Sequence, residues 1–140
     1  AVGRLIGPPG AHVLVVDDDP HVRPVLVRLL ERHGFRVSNA ADGLSALDLA
    51  RRQPPDLLLL DIRMPGVDGY EVLRRLKADE ALRKIPVVVL TANDEGEPAR
   101  ALALTLGAVQ YLEKPIASEV LVREIDQVLR GARTGALPGS

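Results

Sequence analysis

The stretch that decides the fold is DLLLLDIRMPGVDG, residues 56–69, in which four consecutive leucines end at an aspartate and a Met-Pro-Gly turn follows. A short apolar run bounded by turn residues predicts a strand that is buried on both faces. Asp61 would then stand at the end of a rigid strand. Aspartate is common at the start of loops, but it could also be held there for chemistry, and this segment alone supports both interpretations.

The composition of the chain excludes several classes of protein. It has 140 residues, of which 46% are apolar and 26% are charged, and this suits one folded domain. No apolar run approaches the roughly 20 residues of a transmembrane helix, and the absence of cysteine excludes disulfides and thiolate metal sites. A net charge of −1 and the absence of Trp do not suggest a nucleic-acid surface. We expect a cytoplasmic protein that binds neither membranes nor nucleic acid directly.

Outward from residues 56–69, short apolar runs alternate with segments of helical periodicity. The predicted strands are residues 12–16, 35–40, 56–60, 85–90 and 108–112, and the predicted helices lie between Asp19 and Gly34 and over residues 42–53, 68–78, 93–107 and 117–131. Five strand–helix repeats predict a doubly wound α/β fold, in which helices cover both faces of a parallel sheet. We assign residues 11–131 to this domain, and we expect residues 1–10 and 132–140, rich in Gly, Pro and Ala, to be flexible tails.

Two aspartates are predicted to cap helices. Asp19 precedes Pro20, and this pair is typical of an N-cap followed by the first helical residue. Asp68 is placed in the same way ahead of the third predicted helix.

The carboxyl ends of the predicted strands carry polar and charged residues. These are Asp17, Asp18 and Asp19 after the first strand, Asp61 after the third, Thr91 and Ala92 after the fourth, and Glu113, Lys114 and Pro115 after the fifth. Ligands of doubly wound sheets bind at this edge. Crowded carboxylates repel one another unless a cation lies between them, and an all-oxygen donor set suits Mg²⁺. A nearby hydroxyl and ammonium suit an anion, so this edge predicts a phosphate site with Asp61 as the candidate nucleophile.

Four motifs in this order and spacing resemble a known family. They are VLVVDDDP (13–20), DLLLLDIRMPGVDG (56–69), VVVLTA (87–92) and YLEKP (111–115). Together they resemble the receiver domain of bacterial response regulators, the CheY-like superfamily of two-component and phosphorelay signalling, over residues 11–130. The resemblance implies a flavodoxin-like (βα)5 fold with strand order 2-1-3-4-5. It also implies a phospho-accepting domain rather than an enzyme, beyond self-phosphorylation and self-dephosphorylation.

The resemblance assigns roles to individual residues. It implies Asp61 as the phosphoacceptor, Asp18, Asp61 and the backbone carbonyl of Arg63 as Mg²⁺ ligands, Asp17 as a ligand through water, Thr91, Ala92 and Lys114 as phosphoryl contacts, Tyr111 as the switch aromatic, and a cis Lys114–Pro115 peptide. Mn²⁺ is expected to substitute for Mg²⁺. The donor would be a histidine kinase or a phosphotransfer protein. An output partner would bind the face formed by the fourth helix, the fifth strand and the fifth helix.

Three features depart from the family pattern. Gly96 and Pro98 lie within the fourth predicted helix, so we expect that helix to start late or irregularly. Val109 and Gln110 replace the usual acidic pair before the tyrosine, which argues against dimerisation on DNA through this face. Arg63 and Asn93 occupy positions that tune hydrolysis in the family. A long cationic side chain at position 63 predicts slow loss of the phosphoryl group.

Two other interpretations remain open. One is a pseudo-receiver that is never phosphorylated and serves as a scaffold, although an intact acidic pair, Thr91 and Lys114 argue against it. The other is a phosphatase of the haloacid dehalogenase type, in which Asp17 and Asp19 form a D-x-D motif with Asp17 as the nucleophile. That second scheme leaves Asp61 without a role.

Overall fold

Strand and helix alternate five times along the chain. The computed structural model describes residues 10–92 and 96–134, the last two of these by their backbone alone. The elements are β1 (His12–Val16), α1 (Val22–Arg32), β2 (Arg36–Ala40), α2 (Gly43–Arg52), β3 (Leu57–Leu60), α3 (Gly69–Ala78), β4 (Val87–Ala92), α4 (Glu97–Thr105), β5 (Gln110–Lys114) and α5 (Ser118–Thr134). Within the described ranges, no helix is long and apolar enough to cross a membrane.

The five strands form one parallel sheet in the order β2-β1-β3-β4-β5. This confirms the predicted flavodoxin-like arrangement, with helices on both faces. The register pairs Val16 with Leu60, the last residues of β1 and β3. Asp17 and Asp61 therefore leave the sheet side by side, and the fold alone brings two distant carboxylates to one corner.

Alternate residues of each central strand face two separate apolar layers, and this explains why the strands read as continuous apolar runs. Leu58 and Leu60 of β3 point into the layer that α2, α3 and α4 cover. Leu57 and Leu59 point into the layer that α1 and α5 cover. All four leucines of β3 are at most 2% exposed. Burial of a leucine side chain stabilises a fold by roughly 1.5–3 kcal/mol, so these four hold the strand that carries Asp61 firmly in place.

Strands β4 and β5 both lie about two residues later than the sequence predicts. The apolar runs end before Thr91 and Glu113, but the backbone ladder continues and pairs Thr91 with Glu113 and Ala92 with Lys114. These four residues are therefore the last residues of β4 and β5, and they do not lie beyond the strands. Side-chain polarity marks where burial ends, whereas backbone pairing decides where a strand ends.

The helix boundaries also differ from the predicted ones. Helix α1 begins at Val22, but the Asp19 carboxylate accepts hydrogen bonds from the backbone N–H groups of His21 and Val22 at 2.8 and 3.3 Å. Asp19 therefore caps a turn that leads into the helix. Helix α5 continues to Thr134, three residues past the predicted end at 131.

The late start of α4 is confirmed. The helix begins at Glu97, after Gly96 with φ of 70° and ψ of −149°, a backbone conformation that favours glycine. Pro98 lies in the first turn, where its missing N–H group has no partner to lose.

Candidate functional site

Three aspartates meet at the carboxyl edge of the sheet. Asp17 donates its backbone N–H to the Ala40 carbonyl at 3.2 Å, and Asp61 donates its own to the Val16 carbonyl at 2.9 Å. The sheet ladder thus fixes the backbone of both residues. One carboxylate oxygen each from Asp17, Asp18 and Asp61 lie within 4.8 Å of one another, which is a spacing that one metal ion can bridge.

Asp17 is the most enclosed of the three. It is 1% exposed, and its Oδ1 accepts the backbone N–H of Asp19 at 2.9 Å. Its Oδ2 accepts a hydrogen bond from Nζ of Lys114 at 2.8 Å. Both carboxylate oxygens therefore already have a donor.

Asp61 is 8% exposed and accepts hydrogen bonds at both oxygens. Its Oδ1 accepts the Thr91 hydroxyl at 2.8 Å and the Arg63 backbone N–H at 3.0 Å, and its Oδ2 lies 3.5 Å from Nζ of Lys114. Burial raises the pKa of Asp61, and these three donors partly oppose the increase.

Lys114, the last residue of β5, bridges the carboxylates of Asp17 and Asp61. Burial disfavours its ammonium, but the hydrogen bonds and charges of Asp17 and Asp61 outweigh burial and raise its pKa. The lysine is therefore held in its charged form between the acidic residues. The Lys114–Pro115 peptide bond that follows is cis.

Tyr111 turns inward under α4. It is 3% exposed and packs in the layer that contains Ala99 and Ala103, whose small side chains leave room for the ring. Arg100 donates from Nη1 to the Tyr111 carbonyl at 3.2 Å, and its guanidinium carbon lies 5.9 Å from the centre of the Tyr111 ring. Tyr70 of α3 reaches the same helix, where its hydroxyl lies 3.5 Å from the Ala99 carbonyl.

The connection from β3 to α3 forms the remaining wall of the site. It forms an open surface pocket of about 410 Å³ beside Asp61, lined by Ile62, Arg63, Met64, Asp68 and Tyr70. Asp68 caps α3, since its carboxylate accepts the Glu71 backbone N–H at 3.0 Å. Gly69 makes the close approach possible, because a Cβ there would lie 2.5 Å from Cα of Ile62.

The structure brings most of the predicted site residues together. Asp17, Asp18, Asp61, Thr91 and Lys114 meet at one corner, and Tyr111 lies under the neighbouring helix. Asn93 lies outside the described residues, so its predicted role stays a prediction. Asp19 uses its carboxylate as a cap, and those two backbone hydrogen bonds lower its pKa.

Two arginines contribute to the site although no sequence pattern predicts it. Arg23 donates from Nη1 to the Asp17 carbonyl at 2.8 Å and from Nε to Asn39 Oδ1 at 3.1 Å, and so anchors the acidic loop. Arg100 holds the carbonyl of Tyr111. Each is a cation on a surface helix, where sequence alone indicates only a solvated face.

A 2-1-3-4-5 parallel sheet with aspartates, a threonine and a lysine at one corner is typical of the receiver fold. The family model described as response regulator receiver domain matches residues 13–126. The chain belongs to this family and is the receiver domain of a response regulator in two-component signalling.

Similar proteins agree with this assignment. Protein PilH of Pseudomonas aeruginosa is 39% identical over 121 residues, which cover 86% of this chain and 99% of PilH. The transcriptional regulatory protein AfsQ1 of Streptomyces coelicolor is 40% identical over 118 residues, or 84% of this chain but only 51% of AfsQ1. The receiver domain of sensor histidine kinase PA1611 from P. aeruginosa, solved with magnesium in its active-site cleft, has a TM-score of 0.79 at 36% identity and covers 86% of this chain and 98% of that one.

Proposed function

We propose that Asp61 accepts a phosphoryl group from a histidine kinase, a phosphotransfer protein or a small phosphodonor, in a reaction that depends on Mg²⁺. A carboxylate oxygen of Asp61 attacks phosphorus, and the bond from phosphorus to the donor breaks with its electron pair staying on the donor. The observation that carries the proposal is that Thr91 and Lys114 lie 2.8 and 3.5 Å from the two oxygens of Asp61. The same hydroxyl and ammonium can bind the oxygens of the phosphoryl group once it is attached.

The donor set of the acidic corner fits Mg²⁺, because carboxylate oxygens are the ligands that this hard cation prefers. We assign direct coordination to Asp18, Asp61 and the backbone carbonyl of Arg63. Asp17 would act through water, since its Oδ2 lies 2.8 Å from the Lys114 ammonium, closer than the 3.5 Å between that ammonium and Asp61 Oδ2. Bound Mg²⁺ supplies positive charge that offsets the charge of the phosphoryl oxygens. Mn²⁺ prefers similar oxygen ligands and is expected to substitute.

The proposal extends to the output surface. Thr91 and Ala92 pair with Glu113 and Lys114 along β4 and β5, and Tyr111 lies two residues earlier on β5. A shift of the Thr91 hydroxyl from Asp61 to a phosphoryl oxygen would therefore change the packing of Tyr111 and of α4 above it. We infer that the partner reads the face of α4, β5 and α5. A cytoplasmic location belongs to the same proposal.

The test is the intact mass of the chain after incubation with Mg²⁺ and acetyl phosphate. We expect wild type to gain one phosphoryl group and to gain none when EDTA removes the metal. Asp61→Asn should gain none in either condition, because an amide is a poor nucleophile for phosphorus. Asp48→Asn is the matched control, since this exposed aspartate on α2 pairs with Arg52 and, within the described residues, with no other cation, and it should be phosphorylated like wild type.

A folded wild type that gains no phosphoryl group from acetyl phosphate or a kinase would overturn the proposal in favour of a pseudo-receiver scaffold. Steady turnover of a phosphate monoester would favour the phosphatase alternative. The cap formed by Asp19 argues against that alternative, because its carboxylate is already used by backbone N–H groups.

A further inference from the structure

Within the described residues, no side chain holds the carboxylate of Asp18. Asp17 and Asp61 each accept hydrogen bonds at both carboxylate oxygens. The carboxylate of Asp18 is half-buried, and across residues 10–92 and 96–134 it has neither a hydrogen-bond partner nor an ion-pair partner. Its position is therefore set by its backbone, and above all by the peptide group that joins it to Asp17.

Arg23 fixes that peptide group. Its Nη1 donates to the Asp17 carbonyl at 2.8 Å, while the Asp17 N–H donates to the Ala40 carbonyl at 3.2 Å. Both backbone polar groups of Asp17 are thus occupied, the N–H by β2 and the carbonyl by α1. Because the Asp17 carbonyl and the Asp18 N–H belong to one planar peptide unit, the contact with Arg23 sets the direction in which the chain enters Asp18.

Asn39 holds the guanidinium of Arg23 from the side of the sheet. Asn39 lies on β2, and its Oδ1 accepts a hydrogen bond from Nε of Arg23 at 3.1 Å. The guanidinium is therefore bonded through two nitrogens to two elements, the β1–α1 connection and β2. The planar fork of arginine can make both bonds at once, whereas the single ammonium of lysine cannot reproduce this geometry.

We propose that Arg23 is a positioning residue for the divalent cation, and that it acts through the Asp17–Asp18 peptide to hold the Asp18 carboxylate at bridging distance from Asp61. This inference rests on the metal site of the proposed function. Arg23 contributes no ligand, and its own charge repels a cation. The gain in affinity therefore comes from the position that Arg23 gives to Asp18.

Two variants weaken this hold without changing any charge. Asn39→Ala releases Nε of Arg23, and Arg23→Lys replaces the fork by one ammonium. Arg28→Lys is the matched control, since this exposed arginine lies on the same helix and has no hydrogen-bond or ion-pair partner in the part of the chain that the structure describes. Asp18→Asn shows the effect of altering the ligand itself.

The experiment measures the affinity of each 140-residue chain for Mn²⁺ from the electron paramagnetic resonance signal of the free ion. We expect Asn39→Ala and Arg23→Lys to raise the dissociation constant several-fold, Arg28→Lys to leave it unchanged, and Asp18→Asn to weaken binding most. The double variant of Arg23→Lys with Asn39→Ala should bind no more weakly than Arg23→Lys alone, because Asn39 acts through Arg23.

A purely structural role for Arg23 predicts a different result. It would lower stability in urea but leave the dissociation constant unchanged, because a loss of stability does not alter the affinity of molecules that remain folded. Wild-type affinity in Asn39→Ala and Arg23→Lys, an equal loss in Arg28→Lys, or additive losses in the double variant would overturn the proposal.

The binding measurement needs no phosphodonor, so it is independent of phosphorylation at Asp61. Equal affinities of wild type and the variants would overturn the role of Arg23 and leave the proposed function standing. A wild type that binds no Mn²⁺ would overturn the metal site itself, and the role of Arg23 with it.

Discussion

The carboxylate of Asp61 is subject to opposing influences. Burial raises its pKa, while the Thr91 hydroxyl, the Arg63 N–H and the Lys114 ammonium favour the ionised form. The ionised form is the nucleophile that the proposed chemistry needs. The donors are therefore in place before a phosphoryl group arrives, and little reorganisation is required when it does.

Arg63 is the residue at which we expect the lifetime of phosphorylated Asp61 to be set. Its side chain is exposed and lines the pocket beside Asp61, where a long cation can keep water from the phosphorus atom. Given phosphorylation at Asp61, Arg63→Ala should speed loss of the phosphoryl group several-fold. The decay is followed by intact mass after the phosphodonor is removed.

The matched control for this prediction is Arg52→Ala, an exposed arginine on α2 that pairs with Asp48. It should decay at the wild-type rate. A decay rate for Arg63→Ala that equals the wild-type rate would show that the side chain does not shield the site.

At the scale of elements, the β3–α3 connection depends on a close approach at Gly69. A Cβ at this position would lie 2.5 Å from Cα of Ile62 and 2.7 Å from the Asp61 carbonyl oxygen, both of them backbone atoms. We expect Gly69→Ala to destabilise the fold by about 1–3 kcal/mol, the usual cost of overpacking. It should also slow phosphorylation, because Asp61 and Ile62 must move.

Urea unfolding measures the first effect, and the acetyl phosphate reaction measures the second. The sign of the stability change is the critical result. An unhindered Gly→Ala change within a helix stabilises by roughly 0.5–1 kcal/mol. A stabilised Gly69→Ala variant would therefore mean that the connection is looser than this structure indicates.

The sequence predicts elements best where local chemistry decides them. Asp68 is predicted to cap α3, and its carboxylate accepts the Glu71 N–H. Gly96 and Pro98 predict a late start of α4, and the helix begins at Glu97. The ends of β4 and β5 were predicted too early, because Thr91 and Glu113 interrupt the apolar pattern while the backbone ladder continues. Pairing between strands that are distant in sequence leaves no local signal.

The same distinction holds for the candidate site. The proximity of Asp61 and Lys114 could be predicted from the sequence. Each residue follows an apolar run near the end of a strand, and a parallel fold brings these strand ends together. The contacts of Arg23 with Asp17 and of Arg100 with Tyr111 could not be predicted, because they depend on how each helix is rotated against the sheet.

At the scale of the whole molecule, His12 links fold stability to pH. It is 4% exposed at the start of β1, with Nε2 2.7 Å from Oγ of Ser38. Burial, followed by the charge of Arg36, lowers its pKa below the ordinary value of 6.5, although Asp56 and the Pro54 carbonyl oppose the decrease. The folded protein therefore favours the neutral ring.

The lowered pKa of His12 determines whether stability rises or falls with pH. Well above pH 6.5 the ring is neutral in both the folded and the unfolded state, and its contribution to stability is complete. As the pH falls through 6.5, the unfolded chain binds a proton first, so stability is lost until the lower folded pKa is passed.

The measurement is the free energy of unfolding in urea between about pH 7.5 and about pH 5.5. Wild type should lose more stability over this range than His12→Gln does. His33→Gln, at an exposed position after α1, should follow wild type. Parallel curves for wild type and His12→Gln would mean that the buried ring does not contribute.

The positions of the two tyrosines have an optical consequence for the whole molecule. The chain has no Trp, and both its tyrosines contact α4 or the layer beneath it, Tyr70 through the Ala99 carbonyl and Tyr111 through Arg100 and the small residues of the helix. Its near-ultraviolet absorption and intrinsic fluorescence therefore come almost entirely from one region. A spectrum of the unlabelled protein is in effect a local probe of α4.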